Sequence, residues 1–236
     1  MAGIATAAMV QTFTKPDPTN WYRLVTCYNG TDARVNRCVQ YNPSQNEYLW
    51  SADQVDDSSS DLDYQLWTFY PSPDNPDLYA MVCKAYPDGY VSTNPTSINA
   101  SGRWSYVTDP GDNPTDKYGF EFVTTSSMSG VDADGYSYCA ITTQTANQSG
   151  WCMNCGAARQ NYAINLWYET YSEDANEWLF KFIEPRTIYT GTATPAADPS
   201  PTAPCYDLMG RRLSHPQPGL NLIRTPKGTY TKVIMR

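Results

Sequence analysis

Three stretches of this chain repeat one pattern, and a chain made of copies of one unit has few ways to close on itself. Each stretch ends in an aromatic-x-aromatic strand: Gln65-Leu66-Trp67-Thr68-Phe69, Tyr118-Gly119-Phe120-Glu121-Phe122 and Trp178-Leu179-Phe180-Lys181-Phe182. Asp63, Asp116 or Asn176 stands at the same offset before each. Cys27, Cys83 and Cys139 recur at one spacing, 56 residues (83 − 27 and 139 − 83). Between them come Leu49-Trp50-Ser51, Ser105-Tyr106-Val107 and Leu166-Trp167-Tyr168, the first two again 56 apart (106 − 50) and the third displaced by an insertion. The intervening runs are short, rich in Tyr, Val, Thr and Trp, and bounded by Pro, Gly, Asn or Asp, which reads as strand and turn rather than helix. Three copies predict a closed three-fold β structure; a solenoid needs more.

The chain has 236 residues, enough for one all-β domain and a small appendage. A net charge of −8 with only 17% charged residues leaves no basic stripe, which argues against nucleic acid and disfavours an anionic membrane surface as partners. No apolar run is long enough to span a bilayer, so no membrane insertion is expected. Seven cysteines leave at least one unpaired within the chain. Cys27, Cys83 and Cys139 read as small buried core residues. Cys27–Cys38 is a candidate disulfide across neighbouring strands. Cys152-Met153-Asn154-Cys155 has CxxC spacing, but no second pair completes a zinc site and no βαβ context supports a redox motif. No metal or other cofactor is implied.

The ends differ from the repeats. Residues 1–20 begin with the small, apolar run Met1–Thr12 and read as a tail or the remnant of a signal peptide. The repeats occupy 21–185. Residues 186–204 are rich in Pro, Ala and Thr, which cannot bury a core, and read as a linker. Residues 205–236 return to strand signals, with Pro226-Lys227-Gly228 turning a hairpin.

The repeats resemble the ricin-type β-trefoil lectins. Arg37-Cys38-Val39-Gln40, Tyr48-Leu49-Trp50 and Gln65-Leu66-Trp67 follow that family's order of a Cys-Leu-Asp, a Gln-Leu-Trp and a Gln-x-Trp strand. The third unit follows with Cys152-Met153-Asn154, Leu166-Trp167 and Trp178-Leu179-Phe180, and the second with Tyr90-Val91-Ser92, Ser105-Tyr106 and Tyr118-Gly119-Phe120. The resemblance implies a β-trefoil over 21–185 and carbohydrate as the ligand class. The family's hydrogen-bonding Asp corresponds to Gln40, Ser92 and Asn154, neutral groups that lose the charge-assisted part of the bond. Its aromatic platform corresponds to Trp50, Tyr106 and Trp167. The expected carbohydrate-binding residues are therefore Gln40, Trp50, Gln65, Asn154 and Trp167. Trp67, Phe120 and Phe180 are expected in the core.

The last 32 residues resemble the C-terminal sorting signals of secreted Bacteroidetes proteins. Tyr206-Asp207-Leu208-Met209-Gly210-Arg211-Arg212, Pro218-Gly219-Leu220-Asn221-Leu222-Ile223 and the ending Lys232-Val233-Ile234-Met235-Arg236 carry it. It implies a secreted or cell-surface protein whose tail is read by a type IX secretion machinery or serves as a surface-retention module.

His215, the only histidine, lies in the tail, so no Ser-His-Asp or Cys-His site is expected within the repeats, and no Gly-rich phosphate loop follows a strand. Asp and Glu fall mainly in loops. The reading is not an enzyme but a lectin-like module for glycans or polysaccharide. The alternative is a protein-interaction or protease-inhibitor-like trefoil. Exposed rings at 50, 106 and 167 favour the first; buried rings favour the second.

Overall fold

A computed structural model of the chain describes residues 12–108, 116–125, 127–168 and 174–186, and, as backbone, strands within 205–235. It divides into two units, Met1–Arg186 and Thr187–Arg236. The first unit contributes β1 (Asn20–Thr26), β2 (Cys38–Gln40), β3 (Trp50–Ala52), β4 (Leu66–Pro71), β5 (Tyr79–Cys83), β6 (Tyr90–Val91), β7 (Tyr106–Val107) and β8 (Phe120–Val123). It continues with β9 (Ser129–Val131), β10 (Ser137–Thr143), the short helix α1 (Gln144–Gln148), β11 (Trp151–Cys155), β12 (Ile164–Tyr168) and β13 (Glu177–Pro185).

Six strands close into a barrel in the order β13-β10-β8-β5-β4-β1, with β13 pairing back onto β1. The hairpins β2–β3, β6–β7 and β11–β12 sit outside this ring. A six-stranded barrel with three hairpins is a β-trefoil, and closure leaves the barrel no free edge.

Strand pairing fixes which residues are equivalent. Within units, Tyr22 faces Trp67, Tyr79 faces Phe120 and Cys139 faces Trp178. Between units, Trp67 faces Cys83, Phe120 faces Thr143 and Trp178 faces Thr26. The true repeat therefore runs through Trp67, Phe120 and Trp178, with unequal spacings of 53 and 58 residues (120 − 67 and 178 − 120). This corrects two sequence expectations. Cys139 is equivalent to Tyr22 and Tyr79, and Cys83 to Thr26 and Thr143, so the even cysteine spacing marks no single position. Asp63 and Asp116 correspond to Asp174, not to Asn176.

The aromatic-x-aromatic motif builds two layers of the barrel core. Trp67, Phe120 and Trp178 are fully buried. The indole N–H of Trp67 donates to the Val39 carbonyl at 2.9 Å, and that of Trp178 to the Met153 carbonyl at 3.1 Å, tying barrel to hairpin in two units. Below them Phe69, Phe122 and Phe180 form a triangle, with ring centroids 5.2, 5.7 and 5.7 Å apart. Phe13 lies on this triangle, 5.8 Å from Phe122 and 6.0 Å from Phe180. Part of the expected N-terminal tail thus packs onto the barrel, where Thr14 N–H bonds Ser137 Oγ at 3.1 Å and Lys15 pairs with Asp77 at 2.9 Å. Residues 1–11 lie outside the described residues.

Cys83 and Cys139 are buried as expected, whereas Cys27 is half-buried outside the barrel. Cys27 and Cys38 are both thiols rather than a disulfide, and burial pushes Cys38 up to about 12. Cys152 and Cys155 lie three apart on one strand and so face opposite ways, Cys152 into an outer cluster with Met128 and Ala140, Cys155 into the core. That divergence explains why the CxxC spacing makes no chelate here.

The second unit contains β14 (Cys205–Tyr206), β15 (Arg212–Leu213), β16 (Gly219–Arg224) and β17 (Tyr230–Met235), an antiparallel sheet in the order β15-β14-β16-β17. β16 and β17 form the expected hairpin, Arg224 facing Tyr230. Of the expected linker 186–204, Arg186 is described and its N–H bonds the Thr19 carbonyl at 2.6 Å, while 187–204 lie outside the described residues.

Candidate functional site

The three hairpins join around the pseudo-three-fold axis through single bridges: Tyr48 with Ser105, Arg103 with Asn165, and Ala163 with Trp50. Each bridge joins one residue before the axial position of one hairpin to one residue after that of the next. The axial positions are Leu49, Trp104 and Ile164, all fully buried. Leu49 N–H donates to the Trp104 carbonyl at 2.9 Å, and Ile164 N–H to the Leu49 carbonyl at 3.1 Å.

Residues directly opposite on antiparallel strands share a face. The bridges therefore extend each hairpin's outer face into a row that crosses two repeats. The first row runs Ala163, Trp50, Gln40, Gln65. The second runs Tyr48, Ser105, Ser92, Asp116. The third runs Arg103, Asn165, Asn154, Asn176. In each row the residue on the hairpin's first strand bonds a polar group just ahead of the unit's last strand. Gln65 Nε2 donates to Gln40 Oε1 at 2.8 Å, Ser92 Oγ to Asp116 Oδ2 at 2.5 Å, and Asn154 Nδ2 to Asn176 Oδ1 at 2.9 Å.

Of the five expected site residues, the structure brings Gln40, Trp50 and Gln65 together. Gln40 faces Trp50 in register. The Trp50 ring is half-buried, and its indole N–H is covered and finds no acceptor among the described residues. Gln40 is 6% exposed and donates to Gln45, an exposed residue the sequence reading did not single out, at 3.2 Å. Gln65 has no exposed surface. Its amide bonds Gln40 and the Asp53 carbonyl and accepts the Val55 N–H, so its role is corrected from ligand to support: it fixes Gln40 and the loop behind it.

Asn154 and Trp167 lie on one face but not opposite each other. Asn154 faces Asn165, and Trp167 faces Cys152. Asn154 is nearly buried. Trp167 is half-buried and edge-on to Tyr168 at 6.2 Å, and Tyr168, 44% exposed, stacks on Trp151 at 4.1 Å.

The Tyr106 platform is overturned. Tyr106 is one residue past the position matching Trp50, so the pleat turns it inward, 7% exposed. Its hydroxyl donates to the Tyr86 carbonyl at 2.7 Å and accepts the Cys83 N–H at 3.0 Å, and its ring stacks on Tyr41 at 4.5 Å. Burial pushes its phenol far above the ordinary range.

Among the described carboxyls, Glu177 is the most strongly raised, from an ordinary 4.5 to about 7, by burial first and by Asp174 second. It lies on the outward face of β13, and its carbonyl accepts the Cys27 N–H at 3.0 Å. Among the described residues, no three His, Cys, Asp or Glu gather to hold a metal ion.

No family model and no curated relative matches this chain. Among solved structures, it is similar to the BEL β-trefoil, with a TM-score of 0.48 at 12% identity over 74% of this chain and 100% of that one. It is also similar to a GlcNAcα1-4Gal-releasing endo-β-galactosidase from Clostridium perfringens, with a TM-score of 0.46 at 9% identity over 70% of this chain and 33% of that one. A third is Cry35Ab1, with a TM-score of 0.46 at 14% identity over 86% of this chain and 45% of that one. The fold assignment rests on the strand pairing.

Proposed function

We propose that residues 12–186 form a lectin-like module that binds glycans or polysaccharide without catalysing a reaction on them. The supporting observation is the pair Trp50–Gln40. A half-exposed indole stands directly across from an amide whose orientation two further amides, Gln65 and Gln45, hold in place. A flat ring offers an apolar face to sugar C–H groups, and an ordered amide offers both donor and acceptor. Fixing the amide beforehand removes a rotamer cost from binding. One stacking contact with one or two neutral hydrogen bonds corresponds to a dissociation constant of about a millimolar, about −4 kcal/mol.

A glycan array probed with wild type and with the Trp50→Ala/Trp167→Ala double variant tests this. Wild type is expected to bind and the folded double variant to bind markedly more weakly. A folded double variant that binds the same glycan equally well places the site elsewhere. A wild type silent across the array favours a protein-interaction module instead.

A further inference from the structure

The second row carries a feature the other two lack. Its terminal group is a carboxylate, Asp116, where the others end in amides. Four contacts hold Asp116 in place. Thr93 N–H and Thr93 Oγ1 both donate to its carbonyl at 3.0 Å, Tyr90 Oη donates to Oδ1 at 2.8 Å, and Ser92 Oγ donates to Oδ2 at 2.5 Å. Tyr90 is buried and its phenol is pushed up to about 12, by burial first and by Asp116 second, so it remains a donor. A carboxylate offers about four lone-pair directions. Among the described residues two are used, one on each oxygen, and the group is half-buried. Among the described residues no cation pairs with it.

The rest of the row belongs to the neighbouring repeat. Ser92 N–H bonds the Ser105 carbonyl at 3.0 Å, and Ser105 is bridged to Tyr48 of the first hairpin. Tyr48 is half-exposed and lies on the same face. At about 5 Å per strand step, Tyr48 stands about 10 Å from Ser92, a span that accommodates one sugar ring.

We propose that this second row is a separate sugar site, shared between two repeats, in which Asp116 accepts hydrogen bonds from adjacent hydroxyls of a pyranoside and Tyr48 supplies the apolar wall. The inference rests on the carbohydrate-binding reading and assigns it a charged acceptor. Hydrogen bonds to a charged acceptor are roughly twice as strong as neutral ones, which offsets the smaller ring that Tyr48 offers in place of an indole. A neutral sugar is the fitting ligand because a fixed carboxylate with no ion-pair partner among the described residues repels anionic ones.

The test is a titration of ¹⁵N-labelled full chain with the methyl glycosides of galactose, glucose, mannose and fucose, read by amide shifts. Saturable shifts are expected at Ser92, Ser105, Lys117 and Tyr48 with at least one glycoside. Asp116→Asn should weaken this binding about tenfold while leaving the shifts of Gln40 and Trp50 unchanged. Tyr48→Ala, on the other hairpin, leaves the Asp116 contacts in place and should also weaken binding, which guards against an Asp116→Asn chain that fails to fold. Shifts confined to Gln40 and Trp50 overturn this inference and leave the proposed function standing. Equal affinity in wild type and both variants overturns it too. No shift in either row with any of the four glycosides, together with a silent glycan array, overturns both.

Discussion

Replacing Glu177 by Gln should flatten the stability of the trefoil between pH 5 and 7.5. The side chain sits where β13 closes the barrel onto β1, close to Tyr138 and Cys139 on β10, to Cys27, and to Asp174. Among the described residues no ion pair offsets its charge. The sign follows from proton counting. Below about 4.5 the carboxyl is protonated in both folded and unfolded chains and contributes nothing to their difference. Between 4.5 and about 7 the unfolded chain has released its proton while the folded chain retains it, so stability falls as pH rises. Above 7 the loss is constant. Each pH unit between the two values is worth about 1.4 kcal/mol, a ceiling of about 3 kcal/mol, and water reaching one side of the carboxyl reduces this to about 1–2 kcal/mol. For a domain of this size that is a shift of about 3–6 °C in Tm.

The assay is urea or thermal unfolding of wild type and Glu177→Gln from pH 4.5 to 8, followed by Trp fluorescence. The informative quantity is the difference between the two chains at each pH, because titrations elsewhere, His215 included, cancel in it. The variant should gain about 1–2 kcal/mol on wild type between the two ends of the range. A constant difference across the range would show that Glu177 titrates normally, and would refute the claim that burial and Asp174 raise it.

Phe13→Ala should destabilise the trefoil by about 1–2 kcal/mol, part of the cost for a fully buried Phe, because Phe13 covers the Phe69–Phe122–Phe180 triangle only on its outer side; an unchanged unfolding midpoint would show that the segment does not hold the barrel closed. If 205–236 acts as a sorting signal, deleting it should retain the protein inside a cell that exports the full chain by a type IX machinery. Equal export with and without the tail, read by fractionation, would reject the sorting role.

The closed three-fold fold was legible in the sequence because aromatic strands recur at a roughly even spacing, and a barrel core demands large inward residues at matched positions in each unit. The individual equivalences were less so, because connections of unequal length separate the strands of the three hairpins, and counting along the chain cannot see which residues face each other. The size of the slip decides what survives. Side chains alternate with a period of two. Tyr106 lies one residue beyond the position matching Trp50, so it points into the core. Trp167 lies two beyond its matching position, Asn165, so it keeps the outer face but loses its partner Asn154. Gln65 was recognisable by residue type, but its burial depends on the loop that folds over it, whose Asp53 carbonyl and Val55 N–H it bonds. Tyr48 and Asp116 escaped for a further reason. Each lies in a different repeat, and they share a row only through the bridge to Ser105, so a search for one complete site per repeat could not pair them.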